Sequence, residues 1–229
     1  MWIWRLLLVT MCGAIALALL SVAPAHAVPN LQLYIEGATW NSTTETWVTT
    51  SPAFELWVIG AHDIVYNVHL GVALLPNSTD PATGTVRIYD DTRTGLLATL
   101  TDKAEDGGSF TYGTPTYSGG DLPSHGVYPT WYAQYDVGDL TPQHTVYDMQ
   151  PGKDGEAQGE IKRYWIEVSG FERVHFDAYN YVVKSKMRGR FAPFSHDAEM
   201  VPEPGTLALF APCLAGLVGA RLRRRTRTQ

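Results

Sequence analysis

The chain has 229 residues, a formal net charge of −6 at pH 7 and two cysteines. The charges are segregated, because residues 28–203 contain 11 Lys and Arg against all 23 Asp and Glu of the chain, a net charge of −12. An acidic segment repels phosphate backbones, which argues against nucleic acid as a partner. Cys12 and Cys213 both lie outside this segment, which excludes internal disulfides and thiolate zinc sites.

The N-terminal segment, residues 1–27, has the three parts of a secretory signal peptide. Arg5 gives a basic start, residues 6–18 are uncharged and almost entirely apolar, and small residues follow at Ala25 and Ala27. This order predicts passage through the Sec translocon and cleavage by signal peptidase after Ala27. The apolar run is shorter than the roughly 20 residues that span a bilayer, which disfavours a retained anchor.

Residues 28–200 are predicted to form one all-β domain, an antiparallel, jelly-roll-like β-sandwich. Alternating or β-branched apolar runs predict strands, and Gly- and Pro-rich clusters between them predict turns. No sustained apolar period of 3.6 residues indicates a helix here, and many short strands are typical of sandwiches. The predicted strands are Leu31–Ile35, Phe54–Val58, Ile64–Leu75, Thr85–Tyr89, Leu96–Leu100, Tyr128–Tyr135, Ile161–Val168, Arg173–Tyr179 and Tyr181–Met187.

The segment Thr101–Gln158 is richer in Gly, Pro, Ser, Asp and Thr than its flanks. This composition predicts long loops at one end of the sandwich. Binding residues often lie on such loops, although a surface excursion without a ligand is an equal alternative.

Three short stretches that contain histidine are candidates for chemistry. Imidazole and carboxylate are common ligands of zinc and related metals, and a His and an Asp at positions i and i+2 of a strand point to one face. The spacing does not require the stretches to meet, so hydrogen-bonded histidines and turn-stabilising aspartates are the alternative. A joint metal or acid–base site would use His125, His175, Asp177, His196 and Asp197.

Acidic turns and exposed aromatic residues offer two further kinds of site. Oxygen-rich turns such as Asp90–Asp91, Asp102–Asp106 and Asp154–Glu156 can bind calcium, although none follows the EF-hand pattern. Aromatic faces stack on sugar rings. Trp57 is out of phase with the apolar residues of its strand, such as Leu56, so it is predicted to lie on the opposite face and to stack on a ligand. The alternative is a structural role, since tryptophans in β-sandwiches are most often core residues.

The C-terminal segment combines a proline-flanked motif, an apolar run and a basic end. Pro202-Glu203-Pro204 precedes apolar residues at about 206–222, which predict a single transmembrane helix. A basic end stays in the cytoplasm, so the preceding chain is expected to lie outside the inner membrane. The arginines that would stop the chain in the membrane are Arg221, Arg223, Arg224 and Arg225.

In this order, the three C-terminal features resemble the PEP-CTERM sorting signal. The resemblance implies that residues 201–229 are the signal and that an exosortase recognises Pro202, Glu203 and Pro204. It also implies a precursor held transiently in the inner membrane and a mature protein at the cell surface or in the extracellular matrix.

The middle of the chain resembles the choice-of-anchor N family, which implies one domain over nearly the whole exported region and brings no established activity or catalytic residues. The stretches that carry the resemblance are Leu31–Gly37, Thr43–Val48, Leu122–Gly126, Val174–Tyr179 and Phe191–Ala198. We therefore expect a non-catalytic module that binds extracellular polysaccharide or other surface material. A metal-dependent secreted enzyme and a calcium-stabilised adhesion module are the alternatives.

Overall fold

The computed structural model describes seven ranges of the chain, and these are residues 28–75, 83–103, 107–117, 120–121, 127–180, 190–191 and 197–201. The predicted signal peptide, the sorting motif and the predicted C-terminal helix with its arginines lie outside the described residues. His125, His196 and the predicted strand Tyr181–Met187 lie outside them as well. Within these ranges, no helix has the length and apolar character needed to cross a membrane.

The described part of the chain is all-β, as the sequence predicts. Its strands in chain order are β1 (Leu31–Ile35), β2 (Thr39–Asn41), β3 (Thr46–Thr49), β4 (Ala53–Ala61), β5 (Val65–Leu75), β6 (Thr85–Tyr89), β7 (Leu96–Thr101), β8 (Thr111–Gly113), β9 (Thr116–Tyr117), β10 (Gly120–Asp121), β11 (Thr130–Leu140), β12 (His144–Tyr147), β13 (Glu156–Ser169), β14 (Arg173–Asn180), β15 (Arg190–Phe191) and β16 (Asp197–Met200).

Two large sheets form the framework of the fold. The first sheet has the order β1-β4-β13-β6-β7, and β12 also pairs with β13. The second sheet has the order β2-β3-β16-β14-β5-β11-β8, and β15 also pairs with β14. β9 and β10 pair with each other in a small separate sheet. The long central strands β13, β5 and β11 therefore each have neighbours on both edges.

The apolar core lies between the two large sheets, which gives the described residues a sandwich-like architecture. Leu56 and Ile166 face it from the first sheet, and Val72 and Phe176 face it from the second. The rings of Phe54 and Phe176 meet edge to face across the core, with centroids 5.7 Å apart. Each such fully buried side chain stabilises the fold by about 1.5–3 kcal/mol. Because side chains alternate between the two faces of a strand, the face that carries the apolar residues packs toward the core.

One strand pair departs from the antiparallel arrangement that the sequence predicts. β16 runs parallel to β3, with Asp197 opposite Thr46 and Met200 opposite Thr49, so the second sheet is mixed. A tight hairpin forces two strands to be antiparallel, but about 150 residues separate these two strands in the chain. Their relative direction is therefore set by the sheet into which both are packed.

The prediction of long loops over Thr101–Gln158 is wrong for much of that segment. β11 continues to Leu140, β12 follows, and β13 already begins at Glu156. β11 has register shifts on both sides of Gly138, whose φ is +77°. The strand continues through this irregularity, although the polar composition of the segment suggests a loop. Val137 and Leu140 stay buried on either side of it and hold the strand to the core.

Candidate functional site

Both faces of β14 are buried, but one face is apolar and the other is polar. Val174 and Phe176 point into the apolar core, while His175 and Asp177 point to the other face of the second sheet. His175 and Asp177 are nevertheless only 5% and 4% exposed. Because a strand alternates its side chains, the i and i+2 spacing places the imidazole and the carboxylate side by side, as predicted.

Asp197 joins these two residues from the neighbouring strand. β16 pairs with β14 so that His175 lies opposite Glu199, and this register brings Asp197 beside Asp177. His175 Nε2 lies 3.3 Å from Asp177 Oδ1 and 3.7 Å from Asp197 Oδ2. One ligand atom from each of the three residues lies within 4.8 Å of the others. We call His175, Asp177 and Asp197 the His–Asp cluster.

A buried tyrosine supports this cluster. The Tyr128 hydroxyl donates a hydrogen bond of 2.6 Å to Asp177 Oδ2. Burial, and then the negative charge of Asp177, raise the pKa of Tyr128 well above its usual value, so the phenol keeps the proton that it donates. Gly71 of β5 lies opposite Asp177, and a Cβ there would lie 3.3 Å from both Tyr128 Oη and Tyr179 Cε1. The absence of a side chain at Gly71 thus leaves room for both tyrosines.

The two carboxylates of the cluster are held differently. Burial, and then the charge of Asp177, raise the pKa of Asp197 well above its usual value. Among the described residues, no side chain donates a hydrogen bond to the Asp197 carboxylate, and its nearest basic group is His175. The adjacent Glu199 is instead paired with Arg173. Two neighbouring buried carboxylates are stabilised when they share a proton or bind a cation.

Three of the five predicted ligand residues therefore meet, and they are the three of the His–Asp cluster. His125 and His196 lie outside the described residues. Sequence reasoning missed Tyr128, which is 49 residues from Asp177, because no local spacing links the two. Within the described ranges, no other set of three His, Cys, Asp or Glu side chains comes as close together.

The acidic turn at Asp90 has a structural explanation. Asp90 Oδ1 accepts hydrogen bonds from the Thr92 hydroxyl at 2.8 Å and from the backbone amides of Thr94 and Gly95. These hydrogen bonds lower the pKa of Asp90, and the one from Thr92 has the largest effect. The carboxylate therefore closes its own turn, which is the common role of aspartate at such positions. The predicted calcium sites gain no cluster of three ligands within the described ranges.

Trp57 lies on the outer face of the first sheet and is half-buried, in line with its phase on β4. Its Nε1 donates a hydrogen bond of 2.7 Å to Glu55 Oε1. The Tyr34 ring meets it edge to face, with centroids 5.1 Å apart. The guanidinium carbon of Arg163, directly opposite on β13, lies 4.5 Å from the centre of the indole. Trp57 is thus fixed in place with part of its surface in solvent.

A second row on the same face repeats this pattern. Trp165 of β13 lies opposite Tyr89 of β6 and is also half-buried. The guanidinium carbon of Arg93 lies 3.6 Å from the centre of its indole ring. In each row an arginine lies over an indole ring. We call this surface the aromatic face, and it consists of Tyr34, Trp57, Tyr89 and Trp165 with Arg93 and Arg163.

No known protein family matches the chain, and no curated protein matches it. A solved structure of a penta-heme cytochrome c552 from Thermochromatium tepidum is similar over 74% of this chain and 39% of that chain, with 13% sequence identity and a TM-score of 0.22. The chain thus spans about two fifths of that cytochrome, and a TM-score of this size carries no argument about fold or function. The resemblances to the PEP-CTERM and choice-of-anchor N families remain predictions from the sequence.

Proposed function

We propose that the protein is exported, sorted by an exosortase and left at the cell surface or in the extracellular matrix, where it binds polysaccharide. In this proposal the domain is a non-catalytic, jelly-roll-like sandwich, and the aromatic face is its binding surface. The observation that carries the proposal is the pair of half-buried tryptophans on the outside of the first sheet, each of which keeps part of its ring in solvent although Trp57 also packs against a small apolar cluster there.

The spacing of these tryptophans suits an extended chain of sugars. Trp57 lies opposite Arg163 and Trp165 lies opposite Glu55, so the two tryptophans are diagonal neighbours on adjacent strands. Diagonal neighbours are about 7–8 Å apart, which allows one oligosaccharide to contact both rings. Aromatic rings bind the apolar faces of sugars, and the polar groups beside them fix orientation.

The arginines of the aromatic face offer hydrogen-bond donors to a polysaccharide, and the net charge of −12 over residues 28–203 favours a neutral one. A guanidinium presents a planar fork of N–H donors, which can serve the hydroxyl oxygens of a sugar. Arg93 and Arg163 now stack on the indoles, and an exposed stack of this kind is worth only about 0.5–1 kcal/mol. A sugar ring can therefore replace the guanidinium on the indole while the arginine turns toward the sugar hydroxyls.

Native electrophoresis of the full chain in gels that contain polysaccharide tests this proposal. We expect neutral polysaccharides to retard the protein more than a polyuronate does, because the net charge of −12 over residues 28–203 repels a polyanion. Replacing one anchoring tryptophan, in Trp57→Ala or Trp165→Ala, is expected to remove about 1–2 kcal/mol and weaken binding about 5- to 30-fold. Tyr66→Ala, which removes a 48% exposed aromatic side chain from the second sheet, is the matched control.

Two outcomes would contradict the proposal. The first is equal mobility in the presence and absence of every polysaccharide tested. The second is equal loss of retardation in Tyr66→Ala and in the two tryptophan variants. Because Trp57 also packs on Tyr34, Arg163→Gln provides a variant that changes the surface and leaves that packing in place.

A further inference from the structure

We propose that the His–Asp cluster is a binding site for a divalent transition metal and that Zn²⁺ is the cation that its donors suit best. The site lies on the outer face of the second sheet, away from the aromatic face on the first sheet. The inference therefore stands apart from polysaccharide binding and adds a second, separate site to the domain.

The distances within the cluster are close to those of a tetrahedral zinc site. Nitrogen and oxygen ligands about 2.0–2.1 Å from zinc are about 3.3–3.4 Å from one another. His175 Nε2 is 3.3 Å from Asp177 Oδ1 and 3.7 Å from Asp197 Oδ2. All three ligand atoms lie within 4.8 Å, so a small rotation of one carboxylate completes the three-ligand set. A water molecule can then take the fourth position.

The burial of two carboxylates in the cluster favours a bound cation. The three side chains are only 5–7% exposed, and two of them are carboxylates. Isolated buried carboxylates are very unfavourable, and such charges are normally paired or bound to a metal. Asp197 receives no hydrogen bond from a described residue, although it points at the same imidazole as Asp177. A dication would neutralise both carboxylates and coordinate an oxygen of Asp197.

The two carboxylate oxygens of Asp177 have different neighbours. Tyr128 donates to Oδ2, while Oδ1 faces His175 Nε2. A ligating carboxylate commonly has this arrangement, in which an outer hydrogen bond orients one oxygen and leaves the other for the metal. One imidazole and two carboxylates suit zinc better than calcium, which takes six to eight oxygen ligands. Neighbouring Glu199 is already paired with Arg173, so the described part of the chain offers three protein ligands here.

The test is zinc binding by the full chain, purified in a mild detergent, stripped with a chelator and dialysed against micromolar ZnCl₂. We expect one zinc per chain by elemental analysis and a higher Tm with zinc than with chelator. Asp197→Asn and His175→Gln should lose the bound zinc. Tyr128→Phe should weaken zinc binding about 10- to 100-fold, since it removes an outer hydrogen bond. His69→Gln, on the neighbouring strand and outside the cluster, should keep the zinc.

The stability of Asp197→Asn separates metal binding from misfolding. Without metal, the amide replaces a carboxyl group that is unfavourable to bury in its ionised form, so this variant should have a Tm no lower than that of the wild type. With zinc the wild type should have the higher Tm, because only the wild type binds the ion. A wild type that retains no zinc, or an Asp197→Asn variant that retains as much as His69→Gln, would overturn the proposal. The two aspartates would then share a proton instead.

Discussion

The hydrogen bond between Tyr128 and Asp177 gives the sharpest test of the buried polar cluster. The variant Tyr128→Phe keeps the ring and its packing and removes only the hydroxyl that donates to Asp177 Oδ2 at 2.6 Å. Tyr128 is 5% exposed and Asp177 is 4% exposed, so water cannot readily replace the lost donor. A hydrogen bond to a charged group contributes about 1.5–3 kcal/mol, and we expect the free energy of unfolding of the metal-free protein to fall by that amount.

Urea denaturation of the chelator-treated full chain, followed by tryptophan fluorescence, measures this change. Tyr147→Phe is the matched control, because Tyr147 is 56% exposed and we expect its variant to change stability by less than about 0.5 kcal/mol. A double-mutant cycle with Asp177→Asn should give a coupling energy of about 1 kcal/mol or more. A loss in Tyr128→Phe no larger than in the control would refute the reasoning, since Asp177 would then not depend on this donor.

Three further predictions concern other parts of the chain. Gly159→Ala should destabilise the fold by about 3 kcal/mol or more in the same denaturation assay, because a Cβ would lie 2.1 Å from a backbone oxygen of β4 and 2.6 Å from Val146. Asp90→Ala should lower the Tm at pH 7. Hydrogen bonds depress the pKa of Asp90, and the one from Thr92 has the largest effect. The difference in Tm between Asp90→Ala and the wild type should therefore disappear as the pH falls below about 4 and the wild-type carboxyl takes up a proton. Mass spectrometry of protein from the host envelope should give a mature chain that begins at Val28 and ends within the sorting motif, and an unprocessed chain in the cytosol would contradict export.

The sequence predicts well those strands whose two faces differ in polarity. β1 and β6 have the predicted bounds, because every second residue of each is apolar and faces the core. β16 was not predicted, because Asp197, Ala198 and Glu199 are residue types that are depleted in strands, and the polar positions of this four-residue segment are buried as well as the apolar ones. Its burial depends on β3 and β14, which flank it in the second sheet. Such a strand can be recognised only once its neighbours are in place.

The candidate site was predictable only in part, because one of its contacts is local in the chain and the others are not. The pair His175 and Asp177 follows from the two-residue period of a strand, which is a local property. The approach of Asp197 follows from the pairing of β14 with β16, and the contact with Tyr128 follows from the packing of the chain just before β11. These contacts join distant parts of the chain, so residue types can suggest them but spacing cannot specify them.

The two large sheets use their outer faces in different ways, and this difference separates the two proposals. The first sheet exposes part of Trp57 and Trp165 beside arginines, whereas the second sheet buries His175, Asp177 and Asp197. The apolar core lies between them, so zinc removal is expected to lower the Tm without changing retardation by a neutral polysaccharide at temperatures where the domain stays folded. If zinc removal abolished retardation in the folded protein, the ion would have to act at the polysaccharide site itself, and the assignment of binding to the aromatic face would be wrong.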